Sequence, residues 1–270
     1  MTQAEFTLPT LGFDLCWSRL VLGDFPLVLN LQQHGVTFVE RDRLLDEERA
    51  RLRARGLWLG SEPEPRLAAA LRTLAAPDLE LDLRSGGGVP AIRALAAASG
   101  ATAVLAVHRE EFGEVELAAV QRDSLATAVL SVIGAQDLVG KGSVVVPTET
   151  LDALFAETGT SERSSAEVLS SGFRQLGCTS EDAAAAGAGL AQPQWVAQIG
   201  LAHGSGADRQ RAARVLAVIE TALGRYLVVT KTSHDHTRWT TVLPAAERTT
   251  RQAVDELLAE AQTRKQSWLS

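Results

Sequence analysis

The sequence predicts an α+β fold, and three patterns carry that expectation. Short apolar strands come in pairs joined by polar turns, the arrangement of antiparallel hairpins. Helical blocks separate these pairs, unlike a doubly wound parallel sheet, where strand and helix alternate. The same succession also occurs twice at a constant offset. Gly100 matches Gly224, Thr102-Ala-Val-Leu-Ala matches Tyr226-Leu-Val-Val-Thr, and Val115-Glu-Leu-Ala-Ala matches Trp239-Thr-Thr-Val-Leu. Each stretch reads as a helix-ending glycine, a strand, a polar turn, a second strand and a helix. A fainter echo joins Leu74-Ala-Ala-Pro-Asp-Leu79 to Leu190-Ala-Gln-Pro-Gln-Trp195. Residues 1–270 are therefore expected to form one domain of two pseudo-repeats, about 62–134 and 178–265, paired about a quasi-twofold axis.

The elements follow in order. Residues 11–39 alternate loosely around Trp17, Phe25 and Phe38 and read as a strand or short helix followed by an extended segment. Glu40–Arg55 is a charged helix with Leu44, Leu45 and Leu52 on one side, ended by Gly56. Glu62-Pro-Glu-Pro65 opens a helix through Leu67, Leu71 and Leu74 that stops at Pro77. Leu79-Glu-Leu-Asp-Leu83 alternates strictly, as a half-buried strand does. Ser85-Gly-Gly-Gly88 reads as a loop, and a short helix with Ile92 and Leu95 ends at Gly100. Strands at 102–108 and 115–121 flank the acidic turn Glu110-Glu-Phe-Gly-Glu114, and a helix over 124–134 starts near the capping residue Ser124.

In the second half, Val144-Val-Val-Pro147 is a strand and Thr148–Glu157 a helix. Residues 158–165 are polar, lack apolar periodicity and read as a linker. Helices follow at 165–177 and 180–190, then a strand over Trp195–Leu201. Ala212, Val215, Ile219 and Leu223 fall at helical spacing and predict an amphipathic helix. The second hairpin and a C-terminal helix with Val254, Leu257, Leu258 and Ala261 inward complete the chain.

Composition narrows the function classes. A chain of 270 residues is long enough to bury a full core without staples. A net charge of −7 argues against a nucleic-acid binder, which needs a basic surface to displace counterions. It argues equally against attraction to anionic membranes. No stretch of about 18 apolar residues occurs, and the N-terminus lacks the signal-peptide pattern, so a cytoplasmic protein without membrane insertion is expected. Cys16 and Cys178 have no metal spacing and read as free thiols.

Chemistry-bearing patterns are few. His234-Asp-His236 could place two imidazoles on one strand face, but zinc sites need three or four protein ligands, so no metal is expected. Gly187-Ala-Gly189 follows a helix, and Gly204-Ser-Gly206 has Arg209 where a dinucleotide loop needs its third glycine. No nucleophile elbow or Walker sequence is present, and no cofactor is implied. Nucleophile pairs could be formed from Cys16 with His34 or Ser205 with His203, neither in a marked local setting. The alternative to a binding protein is an enzyme or small-ligand-binding protein with a non-local site near His203, His234 and His236.

Six motifs in order resemble the EspG family of chaperones of ESX (type VII) secretion in mycobacteria and related actinobacteria. They are His34-Gly-Val-Thr-Phe-Val-Glu-Arg41, Arg55-Gly-Leu57, Leu74-Ala-Ala-Pro-Asp-Leu-Glu80, Gly142-Ser-Val-Val-Val-Pro147, Gly224-Arg-Tyr-Leu227 and Trp239-Thr-Thr-Val-Leu-Pro-Ala245. The resemblance implies a central antiparallel sheet with flanking helical bundles and quasi-twofold symmetry. It implies a cytosolic chaperone, not an enzyme, that binds the helical tip of the PPE subunit of a PE–PPE heterodimer and keeps it soluble for secretion. It has no catalytic residues to carry over. By position it points to Ser85, Gly86, Gly87, Gly88 and Val89, to the second hairpin with Tyr226 and Trp239, and to helix 246–264 with Arg248 and Arg251. Trp239 is expected mainly to pack within the sheet, with Arg248 and Arg251 as a polar rim.

Overall fold

A computed structural model describes residues 3–87, 91–134 and 139–267, with side chains to residue 260. The chain forms two compact units. One holds Met1–Arg84, Pro90–Val132 and Leu201–Arg211, and the other Ser85–Val89, Ile133–Gly200 and Ala212–Ser270. No helix of the described residues is long and apolar enough to cross a membrane.

The first unit opens with β1 (Phe6–Pro9), α1 (Thr10–Arg19) and α2 (Phe38–Ala54). A small hairpin, β2 (Trp58–Leu59) with β3 (Glu62–Pro63), leads into α3 (Pro65–Ala75). Then come β4 (Leu79–Gly86), β5 (Ile92–Ser99), β6 (Thr102–Arg109), β7 (Glu114–Val120) and α4 (Leu125–Val132). The strand order is β1-β7-β6-β5-β4, with every neighbouring pair antiparallel. Thr37 caps α2 by accepting the amide of Glu40, and Glu64 caps α3 by accepting that of Leu67. Leu67, Leu71 and Leu74 of α3 join Leu95, Ala97, Val104, Ala106, Val115 and Leu117 in one core cluster with Phe13 and Trp17 of α1.

Residues 92–99, expected to be a helix, are strand β5. Its alanines suit a helix by propensity, yet Ala94 through Ala98 are all buried. Both α3 and α4 pack on β5 and β6, and only small side chains on a central strand let helices approach that closely. Tertiary packing overrides local preference here. Gly100 accordingly ends a strand, not a helix, and takes the left-handed turn at φ 58°.

The second unit runs β8 (Val144–Pro147), α5 (Thr148–Thr158), α6 (Ser165–Gln175), α7 (Ser180–Leu190) and β9 (Trp195–His203). After the short β10 (Gln210–Arg211) come β11 (Leu216–Thr221), β12 (Gly224–Thr232), β13 (Arg238–Pro244) and α8 (Glu247–Ser267). The end of β9 and all of β10 are counted with the first unit. The order here is β9-β11-β12-β13-β8, again antiparallel. The expected amphipathic helix at 212–223 is instead β11. Leu216 and Val218 are fully buried at period two, the alternation that the helical template masked. The polar stretch 158–165 does not divide the chain. It joins α5 to α6 within one unit and supplies the Ser164–Glu167 capping box of α6.

Candidate partner-binding surface

Strand register splits the hairpin of the second unit into two faces. Tyr226 pairs with Pro244, Val228 with Val242, and Val242 with Val144. Tyr226, Val242, Val144 and Val146 join Leu169, Phe173, Ala183, Ala186 and Leu190 in one core cluster. The alternate residues face the other way, because successive strand side chains point to opposite sides. Lys231 pairs with Trp239, Trp239 with Pro147, and Thr241 with Val145. Over this second face lies α8, tied by Lys231 Nζ to Glu256 (3.1 Å) and Arg214 to Glu260 (2.8 Å), with Val254 and Leu257 buried. Beyond α8 the outer strands stay open: Trp239 is 39% and Val145 53% exposed. Together they form an apolar ledge on β13 and β8.

The residues singled out in the sequence divide accordingly. Trp239 lies in the sheet as expected, on its open side. Tyr226 is the reverse: it is 1% exposed and belongs to the core. Cβ atoms added at Gly140 or Gly189 would come within 2.6 and 2.4 Å of its ring, so these glycines leave the space it fills. Its hydroxyl donates to the Ala185 carbonyl (3.2 Å) and accepts from the Lys141 amide (3.3 Å). It cannot serve as a surface contact while this core is intact. Arg248 is exposed, and Arg251 pairs with Asp255 one turn on (2.9 Å). Ser85 and Gly86 are not loop but the end of β4, and Ser85 is buried. The loop begins at Gly87, whose φ of 95° strains any side chain and where a Cβ would stand 3.3 Å from the Gln194 carbonyl oxygen. Gly88 and Val89 lie outside the described residues. Sequence reading missed Val145, although its place between two inward valines beside the Trp239 strand was the signal.

The histidines considered for chemistry stand in simple settings. His234 and His236 are exposed in the β12–β13 turn, where His236 adopts φ 64°. Asp235 holds this turn by accepting from Ser233 and from the Thr237 amide (3.0 Å), which lowers its pKa. His203 ends β9 in the other unit. Among the described residues no three His, Cys, Asp or Glu side chains gather as a metal site. Cys16 is fully buried, and burial pushes its thiol up to about 12, so at neutral pH it is not a thiolate.

His34 contacts Asp14 instead. Its amide donates to Asp14 Oδ2 (2.9 Å), its Nδ1 lies 3.3 Å from the same oxygen, and its Nε2 lies 3.3 Å from Thr10 Oγ1. The Arg41 guanidinium donates to both Asp14 oxygens (2.7 and 2.8 Å). This bidentate pair commits the carboxylate to a structural clamp between α1, His34 and α2.

Comparison with known proteins agrees with this architecture. No curated protein matches the chain. Among solved structures, the Mycobacterium tuberculosis type VII secretion system chaperone EspG5, in complex with the PE25–PPE41 dimer, superposes with a TM-score of 0.75 at 19% identity. That match covers 94% of this chain and 95% of the EspG5 chain, and at this identity it establishes the shared fold. The sequence model of the EspG family matches residues 9–256, nearly the whole length. The chain belongs to the EspG family.

Proposed function

We propose that this protein is a cytoplasmic, non-enzymatic chaperone of type VII secretion. It binds the PPE-subunit tip of a PE–PPE-like heterodimer and keeps that apolar tip soluble until delivery. The family match carries this reading, and the chaperone complex with the same fold supports it. The docking face is the ledge of Trp239 and Val145 with the flank of α8, where Arg248 and Arg251 form a polar rim. An exposed apolar patch edged by charge is what a helical tip requires for helix-in-groove contact. We also read the chain as two related halves, about 62–134 and 178–265. In support, β4 to β7 are followed by α4, and β9 and β11 to β13 by α8, with positive-φ Gly100 and Gly224 at matching strand–strand turns.

Co-expression with PE–PPE-like pairs from the same genome tests the function. A stable ternary complex on size exclusion is the expected result. If every such pair elutes apart from the protein, the chaperone reading is wrong.

A further inference from the structure

The first unit displays large apolar side chains that its own fold does not use. Leu27 is 96%, Val36 94%, Phe38 89%, Val39 80% and Phe112 63% exposed. Hydrogen bonds gather them at one end of the unit. The Gly113 carbonyl, beside Phe112, accepts the Thr10 amide (2.9 Å), and Thr10 Oγ1 meets His34. Asn30, whose amide bonds to the Leu27 carbonyl, donates its side chain to Glu110 (3.2 Å). His108 Nδ1 lies 2.7 Å from the Leu29 carbonyl. The β6–β7 turn, the Leu27–Leu29 turn and the start of α2 are therefore neighbours.

This apolar end is built, not loose. The Asp14 clamp fixes His34, and Arg41 donates to the His34 carbonyl (2.8 Å). Gly35 takes φ 90° with its back against Arg41, where a Cβ would stand 2.7 Å from Cα. The Glu40 carboxylate accepts the Val36 amide (3.0 Å) while Thr37 accepts the Glu40 amide (3.2 Å). Val36, Phe38 and Val39 are thus held outward by a reciprocal cap.

The rim is acidic. Asp24, Asp42, Glu111 and Glu114 are exposed, and none is in an ion pair among the described residues. Of the arginines nearby, Arg41 is occupied by Asp14, Arg43 by Glu47 and Arg93 by Glu110, leaving Arg84 and Arg109 against four carboxylates.

We propose that this end of the first unit docks the amphipathic helix of a partner protein whose apolar stripe is flanked by lysine or arginine. A preformed apolar platform gives contact area without an ordering cost. The carboxylate rim selects cationic flanks and excludes anionic ones. A second copy of this chain, with net charge −7, would bring carboxylate against carboxylate, and an anionic membrane would be repelled in the same way. The surface uses no residue of the proposed client face and stands independently of that reading.

The probe is a synthetic helical peptide of about five turns. It carries leucines at i, i+3, i+4 and i+7 with lysine flanks, and its twin carries glutamate flanks. Fluorescence anisotropy with the full chain is expected to show binding of the lysine peptide and about tenfold weaker binding of the twin. Phe38→Ser with Phe112→Ser, and Asp42→Lys with Glu111→Lys, should each weaken the lysine peptide about tenfold while circular dichroism melts stay unchanged. Leu223→Ser, an exposed apolar change in the second unit, should leave binding unchanged. Equal affinity for both peptides, no binding of the lysine peptide, or full binding by both double variants overturns the proposal. Self-association lost in the Phe38/Phe112 variant would overturn it in favour of a second copy. Flotation with phosphatidylcholine/phosphatidylglycerol vesicles would overturn it in favour of a membrane.

Discussion

Asp14 is fully enclosed, so its charge must be compensated. Burial alone raises its pKa, but hydrogen bonds from Arg41 and the His34 amide, with the Arg41 charge, outweigh that. They hold it below the ordinary 3.8. A depressed carboxylate pKa contributes stability that is complete above the unfolded value and lost as pH falls through the folded one. Asp14→Ala should cost about 3 kcal/mol at neutral pH, near the lower bound for a broken buried pair because Arg41 keeps some solvent. The gap between variant and parent in urea melts should shrink as pH drops below 3.8. A gap that stays constant into acid would show that packing, not the ion pair, sets it. Tyr226 gives a second test. Tyr226→Phe removes two hydroxyl bonds and should cost about 1 kcal/mol. Gly189→Ala drives a methyl into the ring and should cost roughly 1–3 kcal/mol. If thermal melts put Gly189→Ala level with the parent, the ring is not held as described.

At the scale of elements, the Ser164–Glu167 capping box carries a local prediction. Ser164→Ala should lower stability by about 1 kcal/mol with client binding unchanged. A larger loss, with hydrogen exchange spreading beyond α6, would show that the cap holds more than its own helix.

The elements also show how much the sequence disclosed. Helices with caps and mixed charge, such as α2 and α3, were legible because their signals are local. Strands β4, β6, β7, β12 and β13 were legible from alternation and turns. By contrast, β5 and β11 were read as helices. Ala94, Ala96, Ala97 and Ala98 are small for a reason that lies in α3 and α4, and Val215, Ile219 and Leu223 fit period 3.6 by coincidence. At the candidate surface, a strand period says that residues 226 and 239 lie on opposite faces. It does not say which face helices bury. Hence Tyr226, expected at the partner surface, lies in the core, and Trp239, expected both in the sheet and at the partner surface, lies in the sheet on its open side. The roles turned on α5 to α7 covering one face and α8 only part of the other.

The whole molecule is acidic, is built from two compact units, and belongs to a family in which a solved member is held in complex with a PE–PPE dimer. The proposed role places such a client on the open ledge of the second unit. Isothermal titration of the wild-type chain with a PE–PPE-like pair from its own genome tests this most directly, run beside Trp239→Ala with Val145→Ser. Equimolar binding by the wild type is expected. The double variant should bind at least about tenfold more weakly, equivalent to about 1.4 kcal/mol, with an unchanged far-ultraviolet spectrum. Undiminished affinity in the double variant would contradict the assignment of the client to this face.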